Sequence, residues 1–339
     1  MKAAVIDGPG RISINEVDEP VCGDDQIKIK VHRAAICNTS DMEIYTGTCP
    51  ILDLTGGYPH ILGHENAGEV VEVGQKVSGI NIGDRIGFYY KITGAFAEYN
   101  VLEPAKLAIA KLDHNVSYDE GAILEIAGGG AMRNIYGSGL RPADKVAVIG
   151  VGPAGLLTGM VAKLFGADAW VAIDLIDWRL EKALELGATC AFNAAKVSHD
   201  EIARKVQEQV GEIDLVFETM GHDKSPAQDG LDLAIQLVKL GGNVRLFTFT
   251  ATPHHLHIWK ALMKGVNFIG RKITSDLDKT RDLDKTRDMM NLAQRWVAEG
   301  KYPIKKVITH HIPLDEVESG FKLIAEHPDS VLKVVIDIA

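Results

Sequence analysis

Hydrophobic and polar positions change rhythm along the chain. Over about the first 120 residues, short β-rich runs alternate with Gly, Pro and Asp turns: AAVI, QIKIKVHRAAI, AGEVVEVG, DRIGFYY and AFAEYNV. Many short strands with such punctuation predict a barrel or sandwich. Near residue 119 the texture shifts, and YDEGAILEIAGGGAMRNIYGSG reads as helix broken by glycines. From there strand-like runs (KVAVIGVG, WVAIDL, DLVFETMG, NVRLFTFT) alternate with helical ones (PAGLLTGMVAKLFGA, RLEKALELGA, LDLAIQLVKLGG). That alternation predicts a doubly wound parallel sheet. NVRLFTFT, the last strand-like run of the alternation, is expected at its edge.

Beyond about residue 272 the pattern holds one long helical stretch and a closing strand, SVLKVVIDIA. That is too little for a domain, so the tail is expected to return to the N-terminal one. The expected organisation is α/β. The strand-rich domain spans residues 1–122 and is completed by 273–339, and the doubly wound domain spans 123–272. The segment DLDKTRDLDKTR, Asp276 to Arg287, is a tandem six-residue repeat. It is too short and too charged for a solenoid, and predicts a solvated surface segment leading into a helix at Met289.

Bulk numbers narrow the class. The chain has 339 residues, 46% hydrophobic and 24% charged, as in a soluble globular protein of one or two domains. No run approaches the roughly 18 apolar residues of a membrane span. The start, MKAAVIDGPG, lacks the apolar run and cleavage site of a signal peptide. A net charge of −10 argues against nucleic acid or an anionic membrane as the main partner. The four cysteines, Cys22, Cys37, Cys49 and Cys190, fit neither a disulfide framework nor a four-cysteine zinc knot. The cytoplasm is the expected location.

The chemistry begins in VAVIGVGPAGLL. Gly150-x-Gly152-x-x-Gly155 follows a strand and opens a helix. Gly150 permits a tight turn, Gly152 lets the backbone approach a pyrophosphate, and Gly155 lets helix and strand pack closely. Pro153 and Ala154 complete the loop, and the helix N-terminus offers free N–H groups to phosphates. Asp174 closes the next strand, 19 residues after Gly155. A carboxylate there accepts from ribose hydroxyls and repels a 2′-phosphate, which predicts NAD over NADP. Arg179, just beyond, joins the cofactor-binding candidates. Structural readings of the same residues are a Gly-rich turn and a helix-capping Asp.

Candidate metal ligands precede the nucleotide domain: Cys37 in AAICNTSD, His64 and Glu65 in GHENAGEVVEVG, and Glu125 in GAILEI. A thiolate, an imidazole and a carboxylate suit zinc, and a position left for water or substrate makes such a site catalytic. Singly, each has a plainer reading: a buried small hydrophobe, a turn histidine, a helix-start acid.

With these residues in order around a dinucleotide loop, the chain resembles the medium-chain, zinc-dependent alcohol and polyol dehydrogenases over its whole length. GHENAGEVVEVGQKV matches that family's zinc signature from Gly63-His64-Glu65 through Gly68 and Gly74 to Val77. GDRIGFYY, GAFAEY, VGPAGLL and ITHHIPLDEVESGF resemble other family segments. The resemblance implies a GroES-like barrel domain plus a Rossmann domain, with His64 a zinc ligand and Glu65 a carboxylate beside the metal. It implies a proton-relay hydroxyl from Thr39 or Ser40, because Cys37-Asn38-Thr39-Ser40-Asp41 carries one residue more than the family pattern. The relay histidine of the family is replaced by Met42 and Glu43. The four-cysteine lobe that holds a structural zinc is absent between Gly83-Asp84-Arg85 and Gly94-Ala95-Phe96, so one zinc per chain is expected. Glu125 falls where the polyol branch has glutamate and the classical alcohol branch has cysteine.

The expected activity is hydride transfer between a secondary hydroxyl of a polyol, sugar or cyclitol and NAD. Glu65, Glu125, Asn38 and Glu43 suggest a hydroxyl-rich pocket, and Arg271 lies near a substrate arginine of polyol dehydrogenases. Alternatives are simple secondary alcohols, amino alcohols such as threonine, a zinc-free quinone or enone reductase, and a non-catalytic relative. The His-rich TPHHLH and THH segments are expected to be surface. The partner is a small molecule, in a homodimer or homotetramer.

Overall fold

The computed structural model describes residues 1–49, 56–89, 91–220, 230–247, 256, 258–270 and 283–339. Along the chain come β1 (Lys2–Gly8), β2 (Arg11–Glu16), β3 (Ile27–Ala35), α1 (Ser40–Thr46), β4 (His60–Ile61), β5 (Glu65–Val73), β6 (Arg85–Tyr89), β7 (Tyr99–Leu102), β8 (Ala108–Lys111) and α2 (Tyr118–Leu124). A wide π-type helix, Glu125–Met132, leads into α3 (Arg133–Tyr136). Then follow β9 (Lys145–Ile149), α4 (Pro153–Leu164), β10 (Ala169–Asp174), α5 (Asp177–Glu185), β11 (Cys190–Asn193), α6 (His199–Gln209), β12 (Ile213–Glu218), α7 (Gly230–Leu237), β13 (Val238–Leu246), α8 (Ile258–Lys264) and β14 (Asn267–Ile269). The tail adds α9 (Leu283–Ala298), β15 (Ile308–Pro313), α10 (Val317–Glu326) and β16 (Lys333–Asp337).

Two compact units result. One is Met1–Gly130 with Ser275–Ala339, the other Ala131–Thr274. The first division falls after Gly130 rather than after residue 122, because the wide helix still packs on the first unit. Gly128 lies against Met290 and Gly129 against the Tyr89 ring. The glycine run therefore does not break the helix; it lets the backbone come this close.

In the first unit β1 pairs with β2 and β4, and a larger sheet runs β15-β16-β3-β5-β6-β8 with β7 also on β3. Ile27, Ile29 and Val31 alternate inward from β3 onto Val70, Ile86 and Phe88. β3 is antiparallel to β5, with Ala35 opposite Glu65. On its other side it is antiparallel to β16, with Val335 opposite Ala35. The end of β3 is thus gripped by the start of β5 and by the last strand of the chain. The tail is richer than the expected helix and strand: β15 and β16 form a parallel pair bridged by α10.

The second unit holds a parallel six-stranded sheet, order β11-β10-β9-β12-β13-β14, the Rossmann arrangement. Its central strands are apolar on both faces, as in AWVAID, every residue of which is buried. One expectation is corrected here. NVRLFTFT, as far as it is described, belongs to β13 and is not an edge; it lies between β12 and β14, and among the described strands the short Asn267–Ile269 is the edge. A three-residue strand carries too little alternation to be seen in the sequence. A second correction concerns the repeat. Its first copy lies outside the described residues, but Leu283–Arg287 of the second is the opening of α9. Thr286 is buried there, and Arg287 donates to the carbonyls of Pro104 and Leu107. Arg271 and most of TPHHLH lie outside the described residues.

Candidate metal centre and nucleotide loop

Cys37 follows β3, and His64 and Glu65 open β5, so the antiparallel register brings them together. Gly63 makes the approach. Its φ of +85° is a left-handed conformation, and a Cβ there would strike the Phe96 ring. Sγ of Cys37, a ring nitrogen of His64 and a carboxylate oxygen of Glu65 lie within 4.8 Å of one another. Among the described residues this is the one such cluster.

The surroundings orient each donor. Asp41, fully buried on α1, accepts from the Cys37 backbone N–H at 2.8 Å and pairs through Oδ1 with His64 Nδ1 at 3.1 Å. With Nδ1–H given to Asp41, the His64 Nε2 lone pair faces the cluster. Burial opposes a charge on His64. The Asp41 carboxylate and the Cys37 sulfur outweigh it and hold the imidazole well above its ordinary range. A cation binding between these donors would displace that proton. The Ser40 hydroxyl donates to Cys37 Sγ at 3.1 Å and lies 3.4 Å from His64 Nε2. Thr39 stands at the cap of α1, and none of the cluster's hydrogen bonds uses its hydroxyl. Glu125, at the head of the wide helix, is not part of the 4.8 Å group. Burial pushes its carboxyl up to about 8; the His64 charge opposes the rise and Glu65 adds to it.

The donor chemistry fits zinc. So does one orphan: Glu65 is fully buried, its Oε1 takes the Lys333 ammonium at 2.9 Å, and its Oε2 makes no hydrogen bond. Sequence reasoning did not place Asp41 or Lys333 in the site. Asp41 had a local signal, an acid one helical turn past Cys37. Lys333, 268 residues from its partner, had none. Of the supposed pocket residues, Asn38 uses its amide N–H to hold the Leu332 carbonyl. Burial raises the Glu43 carboxyl to about 7. His310 pairs with Thr309, and the exposed His311 with Asp337.

In the second unit Gly150 has φ +89°, and a Cβ on Gly155 would collide with the Gly150 carbonyl. At Gly152, the N-cap of α4, a Cβ would meet nothing within 4 Å, so that side of the loop is open. Pro153 is the first residue of α4, followed by Ala154. Asp174 ends β10 with both oxygens engaged: Oδ2 accepts from Val151 N–H, and Oδ1 from Leu175 and Ile176 N–H. Three of a carboxylate's roughly four acceptor positions are filled, leaving room for one further donor. Arg179 lies in the first turn of α5, half-buried.

Fold and cluster together define a two-domain dehydrogenase, and comparison with known proteins agrees. The Alcohol dehydrogenase GroES-like domain matches residues 23–113, and Zinc-binding dehydrogenase matches residues 153–291. Sorbitol dehydrogenase 1 of Saccharomyces cerevisiae is 30% identical, over 98% of this chain and 97% of its own. An L-threonine 3-dehydrogenase of Francisella tularensis is 28% identical over 93% of both. The crystal structure of 2R,3R-butanediol dehydrogenase from Bacillus subtilis superposes with a TM-score of 0.83 at 27% identity, covering 100% of this chain and 99% of that one. The chain belongs to the zinc-type medium-chain alcohol and polyol dehydrogenase family, and it is an oxidoreductase. No described helix is long and apolar enough to cross a membrane.

Proposed function

We propose that the protein is an NAD-dependent polyol dehydrogenase with one zinc per chain, acting on a secondary hydroxyl flanked by a second polar substituent. The observation that carries this is the clustering of Cys37, His64 and Glu65 within 4.8 Å, with the Ser40 hydroxyl on the Cys37 sulfur. Sorbitol, butanediol and threonine, which name its relatives, share that arrangement. Cys37, His64 and Glu125 would hold the ion, with Glu65 able to reach it. When bound, zinc supplies Lewis-acid polarisation of the substrate oxygen and the nicotinamide supplies a hydride acceptor.

The chain's own groups do the rest. Asp41 holds His64 in one tautomer. The Ser40 hydroxyl, beside both sulfur and imidazole, is the group placed to take the substrate's hydroxyl proton and pass it on. Thr39 is set aside for that role. Gly150, Gly152, Pro153, Ala154 and Gly155 offer backbone N–H groups to the pyrophosphate. Asp174 keeps one acceptor position for a ribose hydroxyl and repels a 2′-phosphate, and Arg179 lies close by in sequence to cover the adenine end. Four free cysteines suit a reducing compartment such as the cytoplasm.

We assign self-association to the edge of the parallel sheet. Among the described strands β14 has a neighbour on one side only, and α8, just before it in sequence, exposes Trp259 and Leu262 at 65% and 66%. A second copy, adding its own β14 antiparallel, would extend the sheet and cover that apolar face.

The decisive experiment is zinc per chain by elemental analysis, followed by a polyol, diol and amino-alcohol panel with NAD and NADP. One zinc, preference for NAD, and joint loss of metal and activity in Cys37→Ser are expected. A zinc-free active enzyme would transfer the assignment to the metal-free quinone and enone reductases.

A further inference from the structure

Lys333 opens β16. Val335 lies opposite Ala35, so two residues back along the antiparallel register Lys333 stands beside Cys37. Its ammonium is wholly buried, as is Glu65. It donates to Glu65 Oε1 at 2.9 Å and to the carbonyl of Ile36, the residue before Cys37, at 3.0 Å. An ammonium withdrawn from water needs a counter-charge, and Glu65 supplies it. The carboxylate is thereby claimed from one side only. Its other oxygen is buried and bare, an expensive condition unless an electron-pair acceptor arrives.

We propose that Lys333 is a positioning residue of the metal centre: by tethering one oxygen of Glu65 it keeps that carboxylate an occasional partner of the metal and not a permanent ligand. The inference rests on the zinc reading of Cys37 and His64. A catalytic zinc needs an open position, and an untethered, unpaired Glu65 would fill it. The last strand of the chain thus decides whether the site is open.

The test compares cobalt-substituted wild type with Lys333→Met, Lys333→Arg, Glu65→Gln and the double variant Glu65→Gln/Lys333→Met. In Lys333→Met the cobalt visible bands are expected to shift as a carboxylate joins the shell. Metal loss to a chelator should slow, and kcat should fall, each on the order of ten-fold, the usual scale of a changed ligand partner. KM should move little, and Lys333→Arg should restore the wild-type spectrum. The double variant should match Glu65→Gln in both spectrum and metal loss, because the lysine acts through the carboxylate. A Lys333→Met spectrum and loss rate equal to wild type, or faster metal loss, would overturn the proposal. If Lys333→Met does not fold, the double variant, free of both buried charges, decides, and any difference from Glu65→Gln overturns it. Failure of the zinc reading looks different: wild type takes up no cobalt, or Cys37→Ser keeps the thiolate-to-cobalt band.

Discussion

Single side chains set the chemistry, and several were legible as types without being legible as neighbours. Cys37, His64 and Glu65 could be named from their motif, yet the choice between Thr39 and Ser40 was open. In the fold α1 sets the Ser40 hydroxyl on the Cys37 sulfur and Thr39 at the cap, and that geometry is the ground for proposing Ser40 as the relay. Glu43 gives a pH prediction. Burial raises its carboxyl from the ordinary 4.5 to about 7. A folded-state value above the unfolded one means that the unfolded chain gives up this proton first. Stability is therefore lost as pH rises from about 4.5 towards about 7, by up to about 3 kcal/mol, and the penalty stays constant above that. Glu43→Gln removes the ionisation. Its melting temperature should exceed wild type at pH 8 and converge with it near pH 4.5, as read by thermal scans across that range. Parallel curves would show that Glu43 is not the group.

Elements succeed or fail in the sequence according to their length and apolar repeat. The strand–loop–helix around Gly150 and the long α9 carry strong patterns. β14, three residues long, carries almost none, and missing it put β13 at the edge. The wide helix from Glu125 to Met132 is a subtler case. Its three consecutive glycines look like a break because propensity treats glycine as a helix breaker. Here the absent Cβ atoms are what allow Tyr89 and Met290 to come close. Gly129→Ala would drive a methyl into the Tyr89 ring. The expected cost is about 1–3 kcal/mol of overpacking, measured by denaturant unfolding. A neutral substitution would mean that the segment shifts freely.

For the whole molecule, the exposed Trp259 and Leu262 on α8 and the place of β14 at the end of the described sheet make a second copy of the chain the proposed partner. Leu262→Glu places a charge there without touching either the metal cluster or the nucleotide loop. Sedimentation should show the wild type as a dimer or larger and the variant shifted towards monomer. A wild-type monomer would withdraw the assignment.

The sequence by itself determined what depends on local order. It carried the strand–helix alternation of the Rossmann unit, the glycines of the phosphate loop with their acid at Asp174, and the Gly63-His64-Glu65 signature. Each is a run of neighbours whose spacing encodes one turn or one strand end. Tertiary structure decided what depends on register between distant strands. It brought β16 back alongside β3, so that Lys333 meets Glu65 across 268 positions. It also filled three of Asp174's acceptor positions with backbone N–H groups. Neither leaves a local trace, because a buried ion pair or a backbone hydrogen bond is a property of two places in the chain at once, and periodicity reports only one.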